Sequence, residues 1–115
     1  MDHLWTMHYW HDASGERCVE HWLDALSHDE FNSVAKELKL LELDGNELKL
    51  PHSRALGHGL FEVRERHYNF RIYYTFEPER VILLLDAGNK QTQQRDIRLA
   101  RERLTHLANQ QTRKI

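Results

Sequence analysis

The stretch from Leu60 to Lys90, LFEVRERHYNFRIYYTFEPERVILLLDAGNK, limits the possible folds more than any other part of the chain. Leu60–Arg66 alternates, with Phe61 and Val63 on one side and Leu60, Glu62, Arg64 and Arg66 on the other. Phe70–Phe76 alternates more cleanly, setting Phe70, Ile72, Tyr74 and Phe76 against Arg71, Tyr73 and Thr75. Such period-2 patterns mark half-buried strands. Val81–Leu85 is apolar throughout, as a central strand covered on both faces would be. The connections His67–Asn69 and Glu77–Arg80 are short and turn-like, so the three strands are expected to form an antiparallel meander. Arg64 and Arg71 then fall on the polar side of neighbouring strands. Two guanidinium groups so placed would grip a phosphate. They would equally serve to solvate an open sheet face or to pair with Glu62 and Glu65.

A chain of 115 residues is expected to be one domain, residues 1–115, with enough length to bury a core without disulfides. Its single cysteine, Cys18, excludes a disulfide framework and a thiol-rich metal site, and falls in a predicted helix as a packed thiol. No apolar run approaches the ~20 residues that span a bilayer, so no membrane partner is expected. The first ten residues lack the basic region and cleavage site of a secretory signal, and the expectation is a soluble, cytoplasmic protein. The net charge of −2 conceals a division. Residues 1–47 carry 11 acidic side chains against three basic ones, whereas residues 48–115 carry 13 basic against seven acidic. The division fits a polyanion-binding face in the second part, or two solvated helices followed by an ordinary mixed surface.

Upstream of the meander, Leu4–Trp10 alternates as a first strand. Val19, Trp22, Leu23 and Leu26 then fall at helical spacing. Ser27 followed three residues later by Glu30 has the form of a capping box. The helix it opens carries Phe31, Val34, Ala35, Leu38 and Leu41 and is expected to end at a glycine cap, Gly45. Glu47–Gly59, interrupted by Pro51, reads as a linker. Asp86–Thr92 reads as a polar loop, and residues from Gln94 to about Asn109 as a closing helix with Ile97, Ala100, Leu104 and Leu107 as its apolar stripe. Residues 110–115 are expected to fray. The order β-α-α-β-β-β-α predicts an α+β fold: one antiparallel sheet with helices on one face, and Arg64 and Arg71 on the open face.

Nine histidines raise the question of a metal, but His3 and His8 fall on opposite faces of a strand, His11 lies beyond it, and no zinc-binding spacing occurs. No nucleophile elbow and no phosphate-binding loop occurs either. The remaining constellation is basic: Arg64, Arg66 and Arg71 from the sheet, Lys90 from the loop, and Lys49, Arg54 and His58 from the linker. Tyr73 and Phe61 would add stacking surfaces if exposed, a combination suited to single-stranded RNA.

Taken in order, Pro51, Leu56, Gly59-Leu60-Phe61-Glu62-Val63-Arg64, Arg71-Ile72-Tyr73-Tyr74, Ile82-Leu83-Leu84, Lys90-Gln91-Thr92-Gln93, Ile97, Ala100 and Arg103 make a pattern. It resembles the RelE/HigB-like toxins of type II toxin–antitoxin systems, and among them the phage-derived Gp49-like, HigB-type branch. The resemblance covers about residues 48–104. It implies a microbial-RNase-like fold and a ribosome-dependent endoribonuclease that cuts mRNA and inhibits translation. It also implies a small helix-turn-helix antitoxin as partner, and chemistry that needs no metal or other cofactor. Carried over, Arg64 and Arg71 would clamp the scissile phosphate, and Lys90 would stabilise charge or help move a proton. Glu62 would orient Arg64, His58 would be available for proton transfer, and Arg54, Arg66, Tyr73 and Gln91 would contact RNA. Two positions depart from the family pattern: Gln91 stands where many members have a second basic residue, and Ile97 where some have a tyrosine. A different class of function would suit those departures, namely a non-catalytic relative that binds a protein target, as gyrase-poisoning toxins do, or a degenerate toxin that only binds its antitoxin.

Overall fold

A computed structural model describes residues 4–113, with side chains described for residues 4–108; His3 and the last two residues of the predicted tail lie outside them. Five strands form one sheet in the order β1-β5-β4-β3-β2: β1 Thr6–Tyr9, β2 Ser53–Gly57, β3 Leu60–Glu65, β4 Phe70–Glu77 and β5 Val81–Asn89. Three α-helices among the described residues accompany them: α1 Cys18–Asp24, α2 His28–Asp44 and α3 Gln93–Arg113. The α+β fold and the antiparallel meander β3-β4-β5 are as expected. So is the capping box, in which Ser27 Oγ accepts from Glu30 N and Glu30 Oε1 accepts from Ser27 N. Gly45 closes α2 at φ +52°, and a Cβ there would fall 2.0 Å from the indole nitrogen of Trp5. Only glycine fits both the backbone and the packed ring.

Four features correct the sequence-based layout. The linker contains a strand, β2, paired antiparallel to β3 from Ser53↔Val63 to Gly57↔Leu60. Being short and at the sheet edge, it lacks the β-branched alternation that would reveal it. The sheet is not wholly antiparallel, because β1 runs parallel to β5, from Thr6↔Val81 to Tyr9↔Leu84. A parallel pair needs a long crossover, and the segment holding α1 and α2 supplies it. The predicted loop after Leu85 is largely strand, since β5 continues to Asn89 through a bulge opposite Tyr73 and Tyr74. Finally, the helices cover both faces. α1 and α2 pack on Val63, Ile72, Tyr74, Ile82 and Leu84, whereas Ile97, Ala100, Leu104 and Leu107 of α3 pack on Leu60, Tyr73, Leu83 and Leu85. Residues of opposite parity on β4 and β5 therefore meet different helices, and the face expected to be open lies under α3.

The start of α3 is fixed at close range. A Cβ on Gly88 of β5 would fall 1.9 Å from Asp96 Oδ2 and 2.5 Å from Thr92 Oγ1, so the first turn of the helix rests on the bare glycine backbone. Asn89 N donates to Thr92 Oγ1 and Thr92 N to Asn89 Oδ1, both at 3.1 Å. The Thr92 hydroxyl donates to the buried Asp96 carboxylate, which also takes its place at the favourable, N-terminal end of the helix. Three residues, Lys90 to Thr92, thus join strand and helix through a tight turn.

Candidate phosphate-binding site

Arg64 of β3 and Arg71 of β4 are direct cross-strand partners, and the next position in the same row, on β5, is Gly88. Two like charges directly opposite one another repel. Their neighbour on the same face, Glu62, balances them: it is 0 % exposed, yet its carboxylate is ringed by donors. Arg54 Nε of β2 reaches Oε1 at 2.9 Å, Gln93 Nε2 of α3 reaches Oε2 at 3.1 Å, and Arg71 Nε stands 3.4 Å from Oε2. A buried carboxylate is sustained only by such charge-assisted contacts.

Arg71 itself is 8 % exposed, and its Nε and Nη1 have no hydrogen-bond partner among the described residues. Arg64 is half-buried, and its Nε is also without one. Buried guanidinium N–H groups left unpaired are costly, and an oxyanion would satisfy them. One register step beyond Arg71, Phe70 pairs with Asn89, and Lys90 follows as an exposed side chain at that end of the sheet. Arg66 and Gln91 are exposed, just past the ends of β3 and β5. The fold therefore gathers Arg54, Glu62, Arg64, Arg71 and Lys90 about one end of the sheet, with Arg66 and Gln91 at its margin.

Two expected residues do not join them. Tyr73 is fully buried beneath α3 and has no face to offer a base. Burial raises its phenol pKa, and the carboxylates of Glu62 and Asp96 raise it further, so it stays protonated. His58 occupies the β2–β3 turn at φ +55°, followed by Gly59 at φ +84°. Leu60, which begins β3, is four residues from Arg64, so roughly 13 Å of strand separates His58 from the arginine row. Glu62 also differs from expectation in detail: its contacts orient Arg71 and Arg54. Glu65, the other candidate carboxylate, points to the opposite face and accepts from Ser33 Oγ, His67 N and Tyr68 N. Gln93 has a role that single-residue reasoning missed, and its place in the Lys90–Gln93 motif was the available signal.

A second polar group lies deeper along α3. Arg103 packs 4.2 Å over the Trp10 ring, donates to Leu85 O and Cys18 Sγ, and stands 3.4 Å from Asp86 Oδ1. Burial, with the nearby Asp96 carboxylate adding to it, raises the Asp86 pKa to about 6 against the opposing Arg103 charge. Burial also pushes the Cys18 thiol up, which makes it a poor nucleophile. These contacts bind β1, α1 and α3 to β5 and are structural. No helix among the described residues is long and apolar enough to cross a membrane.

Residues 21–105 match the family model of phage-derived Gp49-like proteins. The chain is 34% identical over 76 residues to the Mycobacterium tuberculosis protein named "Putative toxin HigB3", covering 63% of this chain and 67% of that one. The crystal structure of the isolated E. coli RelE toxin superposes with a TM-score of 0.56 at 16% identity, covering 74% of this chain and 83% of that one. At that identity the likeness is one of fold.

Proposed function

Because the chain belongs to the phage-derived Gp49-like family and is a toxin of the HigB/RelE type, we propose that it is a ribosome-dependent endoribonuclease that cuts mRNA without a metal. The observation that carries the reading is the facing pair Arg64 and Arg71, with unpaired N–H groups beside a buried carboxylate. In this reaction the ribose 2′-oxygen attacks the adjacent phosphorus and the bond to the 5′-oxygen breaks. The products are a 2′,3′-cyclic phosphate and a 5′-hydroxyl. The 2′-hydroxyl proton leaves to solvent, and the departing 5′-oxygen takes a proton from Lys90. Arg64 and Arg71 hold the phosphoryl oxygens as their charge grows, where fixed cations in a part-buried site act most strongly. Arg54 and Arg66 contact the RNA backbone on either side.

Neither Glu62 nor His58 serves as general base in this scheme. The Glu62 carboxylate is enclosed and already occupied, and His58 is a strand's length away. Catalysis rests on positioning and electrostatics. The family also implies an antitoxin that neutralises the protein.

Induced expression in a bacterial host tests the proposal, with growth and the 5′ ends of cellular mRNA read together for wild type, Arg71→Ala and Lys90→Ala. Growth arrest with codon-phased cuts, lost in both folded variants, is the expected result. Arrest with intact mRNA would overturn the nuclease and point to a protein target.

A further inference from the structure

We propose that Gln93 is a positioning residue whose task is to keep Glu62 from neutralising Arg71. The inference rests on the reading of Arg71 as a phosphate clamp. A carboxylate beside a guanidinium in a dry site closes into two parallel hydrogen bonds about 2.7–2.9 Å long. Glu62 does not do so: among the described residues Arg71 Nε stays at 3.4 Å without a hydrogen bond, and Nη1 has no hydrogen-bond partner. Both carboxylate oxygens are taken from elsewhere, Oε1 by Arg54 and Oε2 by Gln93.

The two restraints differ in stiffness. Arg54 reaches in from an edge strand, and its side chain is 42% exposed. Gln93 is the first residue of α3, half-buried, and follows the Asn89–Thr92 turn that seats the helix on Gly88. Without its amide, Oε2 is released to rotate onto the Arg71 guanidinium. The ion pair that forms would consume the N–H groups a phosphate needs and cancel their charge. Gln93 thus lets Glu62 be close enough to hold the arginine in place while leaving its donors available.

The test is a cycle of variants assayed for mRNA cleavage on programmed ribosomes, with affinity for a short labelled single-stranded RNA measured in parallel. Gln93→Leu is expected to lower kcat roughly 10-fold or more and to weaken binding of the short RNA about 5-fold or more, because the Arg71 donors hold the phosphate before reaction and more strongly as charge develops. Gln93→Lys, which still donates to Oε2, is expected to restore kcat to within about 3-fold. In a Glu62→Gln background, where no carboxylate remains to capture Arg71, Gln93→Leu is expected to have no further effect. Wild-type kcat in Gln93→Leu, an equal loss in folded Gln93→Lys, or a loss that persists in the Glu62→Gln background would each overturn the inference. If the wild type does not cut ribosome-bound mRNA, the nuclease reading falls by itself. The same cycle then decides the positioning role on RNA affinity alone: Gln93→Leu binding about 5-fold or more weaker sustains it, and unchanged binding refutes it.

Discussion

Glu62 Oε2 lies 3.4 Å from Arg71 Nε, near enough to attract the guanidinium and outside hydrogen-bond geometry. Arg71 is thereby placed without being used up. Arg71→Ala is expected to reduce cleavage by about 10²–10³-fold, the scale of losing one preorganised charge-stabilising group. Arg71→Lys should recover little, because an ammonium cannot present the planar fork that faces Arg64. Single-turnover cleavage on programmed ribosomes would measure both.

Lys90 offers a cleaner separation of activity from folding. Its side chain is exposed in the turn before α3, so Lys90→Ala should change unfolding free energy by no more than about 0.5 kcal/mol. Cleavage should nevertheless fall by at least about 10²-fold if Lys90 protonates the leaving oxygen. Urea unfolding beside the cleavage assay reads the two effects on one preparation.

His58→Asn should leave cleavage unchanged. Asparagine tolerates the left-handed backbone that position 58 adopts at φ +55°, so the turn survives the loss of the imidazole. A marked drop in kcat with an intact fold would return His58 to the site.

Gly88→Ala should destabilise the protein by about 1–3 kcal/mol and also impair cleavage. The added methyl would collide with Asp96 and Thr92, lifting the first turn of α3 and with it Gln93. Chemical denaturation gives the first quantity. Ala→Gly reversion at the same position should restore both.

The raised pKa of Asp86 has a definite sign. A carboxyl at about 6 in the folded chain against its ordinary value of 3.8 means the folded state binds more protons between those values. Asp86 therefore favours folding fully below pH ~4, and its contribution is lost as pH rises through about 6, a change of about 3 kcal/mol. Asp86→Asn should flatten the stability profile across that window, comparing pH 4 with pH 7. A parallel profile for variant and wild type would show that Asp86 titrates normally.

The sequence made the meander, the capping box and the facing arginines legible because each depends on local period or short-range register. The second layer was also written there, in Val81–Leu85, whose apolar side chains face both ways. Reading Arg64 and Arg71 as a solvent face obscured it. The stripe Ile97, Ala100, Leu104 and Leu107 needed a surface, and only the α3 side of that strand remained. Tyr73 was misplaced for the same reason. The Lys90–Gln93 motif marked Gln93 but not its partner, because an amide reaching a carboxylate 31 positions away leaves no periodic trace. The parallel attachment of β1 was equally hidden, since its four residues alternate alike in either direction.

That attachment bears on how the protein is made. Thr6 pairs with Val81 and Tyr9 with Leu84, so the first strand to be synthesised has no place in the sheet until the last strand exists. The arginine row is completed by Gly88, and Gln93 follows it. A nascent chain can therefore form α1, α2 and the early hairpins while the site is still missing a side. The site is complete only once β5 and the root of α3 have emerged and the sheet closes at β1.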